Sequence, residues 1–244
     1  MTLILLAVSI YQIRILKRIN EKLLKLIAPE RDIRRIGKEI ISTSRENYRQ
    51  SEFYAQLLRL MDFQAPIPAT RSWTASPDLL LTLHQHATDF SPKVILDLGS
   101  GMSTLVLAKS APNSKVISID NSAEYAEKTR ALLLLHKISN VELRVAPLTS
   151  HSSGVDWYDL SKLKDLPEID LLFIDGPPGS KNDRARHPAL IECLSKLSQR
   201  AVVVIDDAGR DGERDLAEEF SKNLPSHKLE YLPHEKVTAV LLPN

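Results

Sequence analysis

Acidic side chains stand at the predicted ends of several strands in this sequence of 244 residues. Asp97 follows "VIL", Asp120 ends "KVISID", Asp175 follows "LLFI", and Asp206 and Asp207 follow "VVVI". Ligands of open α/β sheets bind beyond the carboxyl ends of the strands. These carboxylates are therefore candidates to bind a cation, to accept hydrogen bonds from hydroxyl groups, or to take up a proton.

A glycine turn, "LGSG", connects the first of these strands to a predicted helix. The dinucleotide fingerprint G-x-G-x-x-G needs a third glycine, and Thr104 stands at that position. Asp97 would also repel a pyrophosphate. S-adenosylmethionine has no phosphate, and its ammonium and sulfonium groups are attracted by nearby acids. The turn therefore favours S-adenosylmethionine over NAD.

Asp120 lies 21 residues after Gly99 and ends the following strand. A carboxylate at this place accepts hydrogen bonds from ribose hydroxyls in nucleotide-binding α/β folds, and Asn121 beside it is a second candidate contact. The alternative is that Asp120 only caps the next helix.

Asp175, Asp206 and Asp207 follow two strands that are predicted to be neighbours, and adjacent strands lie about 4.8 Å apart. Three like charges at that spacing are costly unless one is protonated or a cation lies among them. Mg²⁺ takes such oxygen ligands, which makes this trio a candidate metal site. The alternative is a turn in which Asp206 and Asp207 cap a helix.

Alternating apolar and amphipathic stretches predict the elements that position these residues. The chain is predicted as an α/β fold with a doubly wound, Rossmann-like, seven-stranded and mostly parallel sheet. The last two strands are separated only by "PHEK", which indicates a hairpin and an antiparallel strand at the end of the sheet. We predict strands at 93–98, 115–119, 141–145, 169–174, 201–205, about 228–232 and 237–242, and helices at about 102–111, 122–137, 186–198 and 212–223.

An N-terminal helical extension, residues 1–65, is predicted to precede a domain at 66–244, with Pro66 and Pro68 marking the linker. The apolar run 3–13 is too short to span a membrane, and its basic residues follow it, the reverse of a signal peptide. Pro29 is expected to end a first helix, with a second at about 31–62. Residues 3–27 suit a basic amphipathic helix that lies on a membrane surface or packs on a partner, such as a second copy in a homodimer.

Charge is unevenly distributed along the chain. Residues 1–50 hold 11 basic and 5 acidic residues, 11 − 5 = +6, and residues 51–244 hold 21 and 26, 21 − 26 = −5. Nucleic-acid binding would require basic charge on the folded domain, so we expect no nucleic-acid partner. The single cysteine, Cys193, suits a reducing compartment. We therefore expect a cytoplasmic protein, with attachment to the inner face of a membrane through the N-terminal helix as one possibility.

Five motifs in order, over about residues 70–244, resemble those of the class I S-adenosylmethionine-dependent methyltransferases: "VILDLGSGMS", "VISIDNS", "VELRVAPL", "IDLLFIDGPPG" and "AVVVIDDAG". A bacterial subgroup with W-x-x-SPD and DGPPG motifs is especially similar. The resemblance implies that Asp97, Gly99, Ser100 and Gly101 contact the methionine end of the cofactor. It also implies that Asp120 binds the ribose, that Val145 and Ala146 flank the adenine, and that Asp175 faces the reacting centre.

Metal-dependent catechol-type O-methyltransferases are similar at the acidic trio, but they carry asparagine where this sequence has Asp207. Without a metal, the candidate bases are His187, Lys181 and Asp175, and His187 alternatively only begins a helix. Arg184 and Arg186, in the loop after Asp175, are candidates to bind an anionic acceptor or to lie solvated on the surface.

The sequence thus predicts a methyltransferase that uses S-adenosylmethionine, with Mg²⁺ as a possible second cofactor. Its expected acceptor is the oxygen of a small-molecule or glycan-like substrate. The alternatives are an NAD-dependent oxidoreductase and a non-catalytic, membrane-attached scaffold of the same fold.

Overall fold

The computed structural model describes residues 2–72, 74–179 and 182–244, with side chains left undescribed at 2–10 and 26–31. The chain divides into two compact units, residues 1–49 and 50–244. The first unit consists of helix α1, Thr2–Met61, up to Arg49. The predicted boundary after residue 65 remains a prediction. The second compact unit includes the end of helix α1, where Leu57 and Met61 are buried in its core.

Helix α1 is continuous through Pro29, so the predicted division into two helices is wrong. A proline inside a helix removes one backbone hydrogen bond, and strong helix formers on both sides can carry the helix past it. Within the residues described, no helix has both the length and the apolar character needed to cross a membrane. The side chains at 3–10 and 26–27, part of the predicted membrane-binding stretch, lie outside the description.

A seven-stranded sheet forms the centre of the second unit, in the order β3-β2-β1-β6-β7-β9-β8. The first five of these strands are parallel. This confirms the predicted doubly wound, Rossmann-like sheet. The strands are β1 Val94–Leu98, β2 Lys115–Asp120, β3 Val141–Val145, β6 Ile169–Ile174, β7 Leu197–Ile205, β8 His227–Leu232 and β9 Thr238–Pro243.

The antiparallel strand at the C-terminus is also confirmed, but it lies inside the sheet. Strand β9 pairs antiparallel with both β7 and β8, so β8 forms the edge. Strand β7 begins four residues earlier than predicted because Leu197 already pairs with Ile169 of β6. A small hairpin, β4 Leu148–Ser150 and β5 Asp156–Tyr158, was not predicted from the sequence.

Helices cover both faces of the sheet, as the long apolar strands require, because strands buried on both sides are apolar throughout. These helices are α2 Pro77–Asp89, α3 Met102–Ser110, α4 Ala123–Leu135, α5 Pro188–Cys193 and α6 Asp211–Asn223. Residues of α2, α3 and α4 pack in one apolar core, and those of the β4–β5 hairpin, α5 and α6 pack in another. The carboxyl ends of β1, β2, β6 and β7 are thereby fixed at one edge.

Candidate functional site

The glycine turn joins the end of β1 to the start of α3. Gly99 has a φ of 123° and Gly101 a φ of 152°, both in the region that favours glycine. A Cβ at Gly99 would lie 3.3 Å from the backbone carbon of Asp175. The turn therefore passes close to the end of β6, and a side chain at Gly99 would separate them.

Thr104 has a definite function in this turn. Its hydroxyl accepts a hydrogen bond from the Gly101 amide at 3.0 Å and donates one to Asp97 Oδ2 at 2.6 Å. Ser118 donates to the same oxygen at 3.1 Å. The residue that replaces the third glycine of a dinucleotide motif thus fastens the turn to the strand beneath it.

Asp97 lies beneath the turn and is fully buried. Burial raises the pKa of its carboxyl group to about 7, against the opposing effect of the hydroxyl donors Thr104 and Ser118. Asp97 is not among the residues that line the cavity described below. The structure therefore shows it as a residue that positions the turn, and its predicted contact with the methionine end remains a prediction.

Asp120, at the end of β2, lies beside the turn with its carboxylate fully engaged. Oδ2 accepts hydrogen bonds from the Ser100 hydroxyl at 2.5 Å and the Ser100 amide at 3.2 Å. Oδ1 accepts one from the Ser122 amide at 2.8 Å. Asp120 was the alternative candidate for the cap of helix α4. The cap is instead Ser122, whose hydroxyl accepts a hydrogen bond from the Tyr125 amide at the start of that helix.

A cavity of about 780 Å³ opens above these residues. Six of the predicted cofactor residues line it together: Gly99, Ser100, Gly101, Asp120, Asn121 and Asp175. Val145 and Ala146 do not line it. Ala146 is buried, and its amide donates to the Asp120 carbonyl at 2.8 Å. Further lining comes from Tyr158 and Gly176, and from helix α4.

The acidic trio converges as predicted, with one oxygen each of Asp175, Asp206 and Asp207 within 4.8 Å of the others. The buried guanidinium of Arg186 lies among them. Its Nη2 is 3.2 Å from Asp175 Oδ1 and 3.0 Å from Asp207 Oδ2. The Lys236 ammonium lies 3.8 Å from Asp206 Oδ2.

The charges of this cluster nearly cancel without a metal. Four carboxylates, those of the trio and Glu213, meet three cations, Arg186, Arg210 and Lys236, so the formal sum is −4 + 3 = −1. Burial raises the pKa of Asp206 to about 8, and a protonated Asp206 brings the sum to zero. Both Asp206 carboxyl oxygens are buried without a hydrogen-bond partner among the described residues, which suits the neutral form.

Mg²⁺ does not fit this donor set. It requires oxygen ligands at about 2.0–2.1 Å in octahedral geometry. An ion bound by Asp175 and Asp207 would lie against the guanidinium that already pairs with both. The trio is therefore better described as an ion-pair cluster around Arg186, and no step is assigned to a metal.

The three candidate bases differ in their positions. Asp175 lines the cavity, and burial raises the pKa of its carboxyl group to about 6, against the lowering by Arg186. His187 is buried at the start of α5, and it does not line the cavity. Its electrostatic neighbours are Arg184, Glu219 and Asp215. Lys181 lies outside the described residues.

The roles of two residues of the site differ from what the sequence predicts. The sequence predicts Arg186 as a surface or acceptor-binding arginine, whereas it is 4% exposed and bound to acids. Tyr158 had no assigned role. The excess of acids at the strand ends was a usable signal for a buried cation, and nothing in the local pattern indicated Tyr158.

Residues 96–208 match a family model described as a methyltransferase domain. No curated protein matches the sequence. The fold is similar to that of an O-methyltransferase from Bacillus cereus in complex with SAH, with 18% identity, a TM-score of 0.56, and 82% of this chain and 97% of that chain covered. The O-methyltransferase TomG from Streptomyces achromogenes, bound to SAM and involved in tomaymycin synthesis, is 19% identical with a TM-score of 0.53, and 80% of this chain and 89% of that chain are covered. The SAH-bound Podospora anserina methyltransferase PaMTH1 is 18% identical with a TM-score of 0.54, and 70% of this chain and 80% of that chain are covered.

Proposed function

We propose that the chain is a class I S-adenosylmethionine-dependent methyltransferase that methylates a hydroxyl oxygen of a small molecule; the match of residues 96–208 to a methyltransferase-domain model and the similar O-methyltransferase folds support this. The observation that carries the proposal is a single cavity lined by the glycine turn, by Asp120 and by Asp175. The glycine turn lets the ligand approach the backbone closely, Asp120 can accept hydrogen bonds from ribose hydroxyls, and Asp175 can take up a proton. The comparisons give no support to an NAD-dependent oxidoreductase or a scaffold.

Asp120 is assigned to the ribose of the methyl donor. Its carboxylate now accepts from the Ser100 hydroxyl at 2.5 Å and from the Ser122 amide at 2.8 Å. A ribose diol would take over part of this carboxylate, and Ser100 would turn its hydroxyl towards the ligand. Asn121, which lines the same cavity, is assigned as a neighbouring contact.

Asp175 is assigned as the base. The acceptor oxygen attacks the donor methyl carbon, an O–C bond forms, and the C–S bond breaks with its electron pair passing to sulfur. The hydroxyl proton passes to the Asp175 carboxylate. A base functions best with a pKa near the working pH, and burial raises the pKa of Asp175 to about 6. The rest of the rate enhancement would come from in-line positioning in the cavity.

The acceptor is proposed as a small molecule with a free hydroxyl group, with a glycan-like hydroxyl as one form of it. Support comes from the O-methyltransferases among the similar folds. A screen of host extract with labelled donor, followed by isolation of the labelled product, would identify it.

Calorimetric titration tests the cofactor assignment. We expect S-adenosylmethionine to bind the purified chain, and NAD not to bind. Asp120→Ala should weaken donor binding roughly 10- to 100-fold, because hydrogen bonds to a charged group contribute about 1.5–3 kcal/mol. Asp156→Ala, which removes an exposed carboxylate outside the cavity, is the control. Tight NAD binding without donor binding would refute the proposal.

For the N-terminal unit we propose contact with an anionic membrane surface. Leu16, Ile19 and Leu23 are about half exposed or more, at 64%, 48% and 50%, and basic residues are interleaved with them between positions 14 and 25. Sedimentation with phosphatidylserine vesicles, but not with phosphatidylcholine vesicles, is expected, and replacement of the three residues by serine should abolish it. Absence of vesicle binding together with a dimer in ultracentrifugation would assign this face to a second copy instead.

A further inference from the structure

Tyr158 ends strand β5 and is buried, with 1% of its surface exposed. It nevertheless lines the cavity assigned to the methyl donor. Its hydroxyl has no hydrogen-bond partner among the residues that the structure describes. A buried hydroxyl without a partner costs free energy, which makes such a group in a cavity wall a candidate ligand contact.

Gly176 shows how closely the hydroxyl lies to the turn. A Cβ at Gly176 would collide with Tyr158 Oη. The same Cβ would lie 3.1 Å from the Leu98 carbonyl oxygen and 3.4 Å from Gly99 Cα. The hydroxyl is therefore held at the point where the ends of β1 and β6 meet. That point is the part of the cavity assigned to the methionine end of the donor.

The three carboxylates that act electrostatically on this hydroxyl already have other donors. Asp97 accepts from Thr104 and Ser118, and Asp175 pairs with Arg186. Asp120 accepts from Ser100 and Ser122.

Burial raises the pKa of the Tyr158 hydroxyl well above its ordinary value, and nearby carboxylates raise it further. The group thus stays protonated at neutral pH and is a donor.

The methyl donor brings three kinds of polar group. Its ammonium group and its ribose hydroxyls suit the carboxylates, which accept hydrogen bonds. Its own carboxylate needs donors in a region crowded with acids. Resting on the proposed function, we infer that the Tyr158 hydroxyl donates a hydrogen bond to the carboxylate of the donor's methionine part. Tyr158 is thereby a positioning residue for the donor, and it takes no part in the transfer of the proton.

Tyr158→Phe removes only the hydroxyl and keeps the ring. Calorimetry with two ligands separates the two ends of the donor: S-adenosylhomocysteine has the amino-acid part, and 5′-methylthioadenosine lacks it. We expect the variant to bind S-adenosylhomocysteine roughly 10- to 100-fold more weakly, since the lost bond is to a charged acceptor. Its affinity for 5′-methylthioadenosine should stay within about twofold of the wild type.

Thermal unfolding without ligand gives an independent readout. Because the hydroxyl has no hydrogen-bond partner among the described residues, its removal should leave the melting temperature unchanged or raise it. Tyr231→Phe, on β8 and outside the cavity, is the matched control and should change neither affinity.

Equal weakening of both ligands would overturn the inference, because the hydroxyl would then contact the nucleoside end. Unchanged binding of S-adenosylhomocysteine, or a lowered melting temperature with both affinities reduced, would also overturn it. Failure of the wild-type chain to bind either ligand would overturn the proposed function and the inference with it. Normal wild-type binding with an unexpected result for the variant would overturn the inference alone.

Discussion

Replacing Arg186 by methionine removes a buried cation from the centre of the acidic cluster. Nη2 of Arg186 is 3.2 Å from Asp175 Oδ1, 3.0 Å from Asp207 Oδ2 and 2.8 Å from the Asp175 carbonyl. Its other nitrogens donate to the carbonyls of Pro177 and Asp206 at 3.3 and 3.2 Å. Removing one partner of a buried ion pair costs about 3–5 kcal/mol, and we expect a loss of that size in the free energy of unfolding.

Arg210 provides a matched control at the same acceptor atom. Its Nη1 lies 3.0 Å from Asp207 Oδ2, the same distance at which Arg186 approaches that oxygen. The Arg210 side chain is 55% exposed, however, and that of Arg186 is 5% exposed. Exposed ion pairs contribute about 0–1 kcal/mol, so Arg210→Met should cost no more than that.

The loss for Arg186→Met should depend on pH. Arg186 lowers the pKa of Asp175, so its removal raises that pKa further above the value in an unfolded chain. The folded variant then holds more protons than the folded wild type, and stability falls with rising pH wherever the folded state holds more protons than the unfolded one. The difference between variant and wild type should thus be larger at pH 8 than at pH 6.

Guanidinium unfolding followed by tryptophan fluorescence measures these values, with circular dichroism to confirm that each variant is folded. Equal losses for the arginine pair would refute the reasoning, because burial would then not decide the strength of the ion pair. A loss below about 1 kcal/mol for Arg186→Met, or one independent of pH, would refute it as well.

Two further predictions concern the same cluster. Asp206→Asn should flatten the pH dependence of stability: the wild-type pKa is raised to about 8, so stability is lost as pH rises from about 4 through 8, at up to about 1.4 kcal/mol per pH unit. Melting curves from pH 6 to 9 check this, and parallel curves for variant and wild type would contradict it. Exhaustive treatment with EDTA should leave methyl transfer unchanged once an acceptor is known, since the Arg186 guanidinium already pairs with Asp175 and Asp207. Loss of transfer that Mg²⁺ restores would show that the cluster takes a metal.

The unit from β1 to β2 could be predicted from the sequence because its signals are local. A strand, two glycines, a helix and an acid follow one another within 27 residues, 94–120, and each has one favoured backbone conformation. The family resemblance implies that Gly99, Ser100, Gly101, Asp120 and Asp175 lie around one ligand, and strand order agrees with it: all five line one cavity. Parallel strands bring their carboxyl ends to one edge of the sheet.

Tyr158 and Arg186 could not be placed in this way because their environments are made by distant parts of the chain. Tyr158 lines the cavity from β5, which pairs with β4 in a hairpin whose strands have three residues each. The burial of Arg186 depends on carboxylates and carbonyls from β6, β7 and the loops after them. Sequence patterns report which face of an element is apolar, and they do not report which charges meet across elements.

The balance at Asp175 links the cluster to the proposed chemistry. A fold that collects carboxylates at one edge of its sheet must offset their repulsion, and this chain does so with a guanidinium. Burial raises the pKa of Asp175, and Arg186 lowers it, so that it settles at about 6. Burial alone would keep the carboxyl group protonated and unable to accept a proton, and full pairing in solvent would make it too weak a base. The arginine that pairs with the cluster therefore also lowers the pKa of the residue assigned to remove the acceptor's proton.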